Sequence, residues 1–250
     1  MKKRILFFAL LTMACLCHAQ EEEISFPTDR PGNTWGAEVL PYHKVSWENG
    51  FGFERDADQR SITLPSTIVR YGIFENVELR VGADVVSQKM EGQATKTMGV
   101  APLTIGAKFK CYEGDGWLPS VGFLAQVQSP HLGSSELLPS HLAPSMYLVF
   151  ENSITDWCYV YYNAGAEWDG ETATPTTFLS LLLGFDIRDD LGAFVETYNY
   201  LHPEGNQYLT EFGLYFMPSP RLQFDIAADL DFQNLKDYFA ISCGVSWMIN

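Results

Sequence analysis

Beyond residue 40 the chain reads as about a dozen short stretches in which apolar and polar residues take turns. Leu222-Gln223-Phe224-Asp225-Ile226-Ala227-Ala228-Asp229-Leu230 shows the pattern: Leu222, Phe224, Ile226, Ala228 and Leu230 are all apolar, whereas Gln223, Asp225, Ala227 and Asp229 are mostly polar. Successive side chains of a β-strand point to opposite faces, so each such strand has one greasy side and one wet side. Twelve strands are expected, over roughly 44–54, 62–71, 76–86, 102–111, 119–129, 143–151, 157–168, 176–188, 191–201, 207–217, 221–230 and 238–248. Most match the ~9–11 residues that a tilted strand needs to cross a bilayer core. In 143–151 and 207–217 aromatics fall on both faces and blur the phase.

The connections carry independent information. Short segments with turn chemistry, such as Glu113-Gly114-Asp115-Gly116 and Pro218-Ser219-Pro220, take turns with generally longer ones at 55–61, 87–101, 130–142, 169–175, 202–206 and 231–237. An outer-membrane barrel has short periplasmic turns and longer external loops. Aromatics near strand ends (Trp47, Tyr71, Trp117, Tyr147, Trp157, Trp168, Trp247) fit an interfacial belt. The expected fold is therefore all-β: one antiparallel transmembrane barrel of about twelve strands over 44–250, with lipid outside and water inside.

The chain opens as an export signal. Lys2, Lys3 and Arg4 precede an apolar run from Ile5 to Cys17, which is short for a membrane span, and Cys17-His18-Ala19 offers a small-residue cleavage site. A Sec-type signal peptide over 1–19 is expected; a lipoprotein cysteine at Cys15 or Cys17 is the lesser alternative. Without Lys2, Lys3 and Arg4 the 16 basic residues fall to 13 against 31 acidic ones, a net charge near −18. Nucleic acid is a poor partner for such a chain. The odd set Cys111, Cys158 and Cys243 argues against a disulfide framework. Residues 20–43 lack alternation, and Thr28-Asp29-Arg30-Pro31-Gly32-Asn33-Thr34 could be a lead-in or a plug in the barrel mouth.

Chemistry-bearing motifs are missing: there is no Gly-rich phosphate loop, no GxSxG, no HExxH and no CxxC. No catalytic, cofactor-binding or metal-ligating residue is assigned, and an enzyme is not expected. Two rival readings remain. One is a membrane-barrel hydrolase built on His131 and His141 with the nearby Ser129, Ser134, Ser135 and Ser140; the other is a soluble periplasmic all-β binding protein. By phase, the candidates to line the lumen are Glu78, Arg80, Asp84, Lys108, Lys110, Gln126, Gln128, Glu196, Glu211, Gln223, Asp225 and Asp229. Both signs occur, so neither strong anion nor strong cation selectivity follows. Twelve strands lie between a filled eight-stranded barrel and an open porin, and a narrow or partly plugged pore is expected.

Three stretches resemble one family. Thr28-Asp29-Arg30-Pro31 follows the signal; Leu64-Pro65-Ser66-Thr67-Ile68-Val69-Arg70-Tyr71-Gly72-Ile73 runs into Asn76-Val77-Glu78-Leu79-Arg80-Val81-Gly82; Leu191-Gly192-Ala193-Phe194-Val195-Glu196-Thr197-Tyr198 comes later. Together they resemble the transporter-type outer-membrane barrels of the MetA-pathway of phenol degradation family. The resemblance implies a barrel that passes small solutes, aromatic ones among them, into the cell, located in the outer membrane of a Gram-negative-type bacterium. It supplies no catalytic residues, and phenol is not carried over as the solute. The chain departs from the usual aromatic C-terminus of such barrels, ending Trp247-Met248-Ile249-Asn250.

Overall fold

A computed structural model describes residues 26–93 and 95–249. The expected signal peptide over 1–19 lies outside the described residues. Among them no helix occurs, and the chain is built from thirteen strands: β1 (Val45–Asp56), β2 (Gln59–Phe74), β3 (Val77–Met90), β4 (Thr97–Val100), β5 (Thr104–Tyr112), β6 (Ser120–Gln128), β7 (Ala143–Thr155), β8 (Cys158–Glu167), β9 (Thr176–Arg188), β10 (Leu191–His202), β11 (Gly205–Ser219), β12 (Leu222–Leu230) and β13 (Tyr238–Ile249). Twelve of them form a closed antiparallel barrel in which each strand pairs with its sequence neighbours. β1 closes the ring by pairing with β13 along its whole length, from Val45↔Ile249 to Asp56↔Tyr238. Closure leaves no unpaired strand edge in the hydrocarbon, where an unmet backbone group would cost several kcal/mol. The thirteenth, β4, is a short flap within an external connection, and it pairs with the outer part of β3 through Val85↔Val100 to Gln88↔Thr97.

The alternation decides which side is which. On β12, Phe224 and Ile226 are about half exposed on the outside while Gln223 and Asp225 are buried within. The outward set continues around the ring with Leu79, Val81, Ile105, Leu181, Leu214 and Ile241, all exposed. In the blurred strands, β11 sends Phe212, Leu214 and Phe216 outward and buries Leu209 and Glu211, while β7 sends Met146 and Leu148 outward and buries Tyr147 and Val149. Trp47, Tyr112, Trp117, Trp157 and Trp247 are exposed near the end of the barrel where β1 begins and β13 ends, a girdle suited to one membrane interface. Tyr147 does not belong to that belt, since it is buried inside the barrel.

Two external connections are shorter than the sequence implies. β1 and β2 run on until only 57–58 joins them, and β10 and β11 leave only 203–204. Arg55↔Arg60 and Asp56↔Gln59 extend the ladder with polar side chains, because strand pairing continues in water beyond the membrane. Long external connections remain at 91–103, 129–142, 168–175 and 231–237.

Candidate functional site

Residues 26–43 do not continue the wall; they lie inside it. Between Pro27 and Leu40 the segment bonds to side chains of nine strands: Glu48 on β1, Arg70 on β2, Glu78 and Arg80 on β3, Lys108 and Lys110 on β5, Glu151 on β7, Asn163 on β8, Glu196 on β10, Glu211 on β11 and Gln223 and Asp225 on β12. A chain that reaches strands on every side of a closed ring must run through its interior. It enters at the end where β1 begins and β13 ends, and there Phe26 packs with Leu40, Met217 and Met248. It climbs to Asn33–Trp35 and returns, leaving beside β2 where the His43 N–H donates to the Gly72 carbonyl (2.8 Å).

Because an irregular segment has unpaired backbone groups, it needs partners from the wall. The wall supplies carboxylates. Glu196 accepts from the backbone N–H groups of Asn33 (2.6 Å) and Thr34 (2.9 Å), Glu151 from Ala37 (2.8 Å) and Glu78 from Leu40 (2.9 Å). Asn163 accepts from the Trp35 N–H and donates to its carbonyl (2.8 and 2.9 Å). Asn33 donates its side-chain amide to Glu211 (2.7 Å).

Two charges of the segment are received by two separate constellations. Arg30 donates to Asp225 through Nη2 (2.9 Å) and Nε (3.3 Å), and its guanidinium lies over Gly50 and Gly244. Those glycines face each other across β1 and β13, and a Cβ at either would overlap the guanidinium. The missing side chains are the notch that Arg30 fills. Asp29 meets the opposite charge: its carboxylate pairs with Arg80 and lies 3.7 Å from Arg70 Nη1 and 3.6 Å from Lys108 Nζ.

Arg70 and Arg80 face each other directly on β2 and β3, a repulsive pairing unless anions intervene. Glu78 takes Arg70 in a two-point bond (2.9 and 2.7 Å), and Glu48 accepts from Arg70 Nη1 (2.7 Å). Three cations thus meet three carboxylates, with Asp29 as the one supplied from outside the wall. Lys110 pairs with Glu38 of the segment (2.9 Å) and with Glu113 in the following turn (3.4 Å).

Above the apex the interior changes character. Trp35 packs edge-on against Tyr147 (4.6 Å between centroids) and beside Phe178 (5.9 Å), in a cluster with Leu124, Tyr198, Leu209 and Tyr238. Tyr198 donates to Asp229 (2.6 Å) and Tyr147 to Glu167 (2.8 Å), so the polar tips are met. Below the apex, between the segment and β7 to β12, lies a cavity of about 300 Å³. Tyr159, Tyr161, Leu182, Phe194 and Tyr215 are its apolar and aromatic lining, and Lys108, Arg30, Asp29, Glu38, Glu151 and Asp186 its charged lining.

Of the sequence-derived lumen candidates, Glu78, Arg80, Lys108, Lys110, Glu196, Glu211, Gln223 and Asp225 are brought onto the segment. Asp229 is buried against Tyr198 instead. Asp84 and Gln126 are half-buried, Gln128 is exposed, and none of these three bonds to the segment. Sequence reasoning missed Glu48, Arg70, Glu151 and Asn163. Glu48 and Arg70 stand at polar positions of their own strands, and the phase there was the signal that could have found them. The hydrolase loop assembles no nucleophile and base: His141 Nδ1 faces the Gly170 carbonyl (3.2 Å), and Ser134 Oγ accepts from the Val100 N–H (2.9 Å). Cys111, Cys158 and Cys243 are free.

A closed twelve-stranded barrel with an apolar outer band and an aromatic girdle defines an outer-membrane β-barrel, and the protein resides in that membrane. Residues 28–248 match the model of the family described as "Putative MetA-pathway of phenol degradation", and the chain belongs to that family. Among solved structures it is similar to an outer membrane channel from Pseudomonas putida F1 (TM-score 0.66, 13% identity, 89% of this chain and 100% of that one). It is also similar to the KdgM porin in complex with disordered oligogalacturonate (TM-score 0.59, 12% identity, 82% and 99% covered). The translocator domain of the autotransporter NalP from Neisseria meningitidis follows with TM-score 0.51, 12% identity and 97% of both chains covered. At such identities the likeness concerns the fold. No curated protein matches the sequence.

Proposed function

We propose that this barrel admits small solutes, aromatic ones included, across the outer membrane by passive or facilitated diffusion, and that residues 26–43 act as a plug within it. Membership of a family named for phenol degradation and a porin-like fold support uptake. The observation that carries the plug is the Pro27–Leu40 excursion, bonded to nine strands from within. Its attachments are side-chain bonds and ion pairs, not ladder pairs, so it can shift while the barrel stays closed. The residues that would line the path are the lumen candidates named above, with Glu48, Arg70, Glu151 and Tyr161 added.

Liposome swelling with the purified full chain tests both parts. The native protein should pass small sugars and small aromatic alcohols slowly. Gly50→Val with Gly244→Val, which removes the Arg30 notch, should pass them faster while the unboiled protein keeps its fast mobility on gels. Swelling equal to empty liposomes for both proteins would overturn uptake; equal swelling of the two proteins would overturn the plug.

A further inference from the structure

The Asp29 cradle is a receptor for a carboxylate, and the chain fills it with its own. Asp29 belongs to no strand, yet its side chain meets Arg70, Arg80 and Lys108, each of them buried in the wall. In direct ion-pair contact the wall sets only Glu48 and Glu78 against these three cations, and Asp29 balances the set; Glu151 of β7 acts on Lys108 without an ion-pair contact. A buried cation without a counter-charge is costly, so a wall built this way requires an anion at that point. The cradle also has more donors than Asp29 uses. Arg80 is 4% exposed, and its Nε and Nη1 have no hydrogen-bond partner; the Glu78 carboxylate is 3.8 Å from Nε. Once Asp29 leaves Nη2, that donor and the idle one beside it, Nε or Nη1, form a two-point face for an incoming carboxylate.

The cavity beside the cradle extends the recognition. Lys108 and Asp29 line it together with Tyr161, Tyr159, Phe194 and Leu182. Its volume, about 300 Å³, is at the small end of ligand sites. Lys108 and Arg30 on the lining, with the rings of Tyr159, Tyr161 and Phe194, suit a small aryl carboxylate, whereas Glu38, Glu151 and Asp186 on the same lining disfavour a solute with more than one negative charge.

We propose that Asp29 is an intramolecular stand-in for a permeating organic carboxylate, which displaces it from Arg70, Arg80 and Lys108 and thereby loosens the plug. This rests on the uptake reading, and supplies the solute's chemical class. A tethered carboxylate competes at an effective concentration in the millimolar range or above, so a free one binds weakly. Weak binding suits a pore, whose occupant must also leave.

Calorimetric titration of the detergent-purified full chain with benzoate, with benzyl alcohol as the uncharged control, tests the proposal. Asp29→Asn empties the cradle of its competing charge and should tighten benzoate binding about tenfold or more, leaving benzyl alcohol nearly unchanged. Lys108→Met added to Asp29→Asn should abolish that gain. Benzoate bound no tighter by Asp29→Asn than by the native chain would overturn the proposal, as would an equal gain for benzyl alcohol. Should Asp29→Asn fail to fold, Thr34→Cys in the otherwise native chain replaces it, since the Thr34 hydroxyl is buried without a partner. Benzoate should then speed labelling by a neutral maleimide more than benzyl alcohol does, with the parent chain as blank; equal rates overturn the proposal. Charge-dependent benzoate binding in a protein that swells no liposomes would uphold the cradle and sink uptake.

Discussion

The two faces of the wall obey different rules although every strand contributes to both. The outer face is a list of apolar residues with no particular partners: Leu181, Leu214, Ile226 and Ile241 all meet lipid. The inner face is a set of exact pairings, in which Arg70 alone serves Glu48, Glu78 and the Pro27 carbonyl. Lipid is a featureless solvent, so the outer face needs only hydropathy. The interior is crowded and polar, and each charge there has to find a partner.

If that contrast is right, the largest penalty falls inside. Arg70→Met leaves Glu48 and Glu78 buried without their counter-ion and should cost about 3–5 kcal/mol. Urea unfolding of the protein in lipid vesicles, followed by tryptophan emission, would show it as a lowered midpoint. A midpoint equal to the native one would mean that the interior is as forgiving as the outside.

Next is the reverse violation. Leu181, midway along β9 and half exposed to lipid, should tolerate any apolar replacement, whereas Leu181→Arg should cost ~2–4 kcal/mol at the bilayer midplane. The same unfolding experiment ranks it. An inner-face position of the same strand sharpens the comparison, because Gly184 faces the Tyr159 ring, which a Cβ would overlap. Gly184→Arg should therefore disturb packing as well as passage, with slower assembly seen as less of the fast gel band.

A smaller effect is expected at the apex of the segment. Trp35→Leu forfeits the edge-on contact with Tyr147 and the tilted one with Phe178, each aromatic pair being worth ~0.5–1.5 kcal/mol. Faster amide exchange at Asn33 and Thr34, with the wall strands unchanged, would be the sign. Equal slowing or quickening everywhere would mean that the segment and the wall are one cooperative unit.

The smallest effect lies in the external loops, outside both faces. The Thr172 and Glu171 N–H groups hold the Asp169 carboxyl below the usual carboxylate range, and the Ser140 N–H does the same for Glu171. Carboxyls depressed in the folded state stabilise it above their unfolded values and lose that contribution as pH falls through the folded ones. Amide exchange at Ser140 and Thr172 should thus quicken, beyond its intrinsic pH trend, only below the ordinary carboxylate range. Protection that fades nearer neutrality would point to another group.

How much was legible in the sequence follows the same division. β12 begins and ends where its alternation does, and Leu79, Ile105 and Ile241 could be placed outside by phase alone. The lumen candidates were found by the complementary phase, yet phase does not say which of them work together. Asp229 and Asp225 share one face of one strand; the first receives Tyr198 and the second Arg30. Tyr147, a belt residue by position, is an interior ring because its phase, obscured by aromatics on both sides of β7, places it opposite Trp35.

What the sequence determined by itself was the barrel, its strand number and its inside and outside, since a period of two and a bilayer are local constraints acting strand by strand. What only the tertiary structure decided was the content of the barrel. Gly50 and Gly244 lie 194 residues apart in the chain and become a single notch only when β1 meets β13. Asp29 meets Arg70, Arg80 and Lys108 only because the registers of β2, β3 and β5 set the three side chains at one point beside a segment with no periodicity of its own. Such meetings depend on register and ring closure, which are properties of the whole wall.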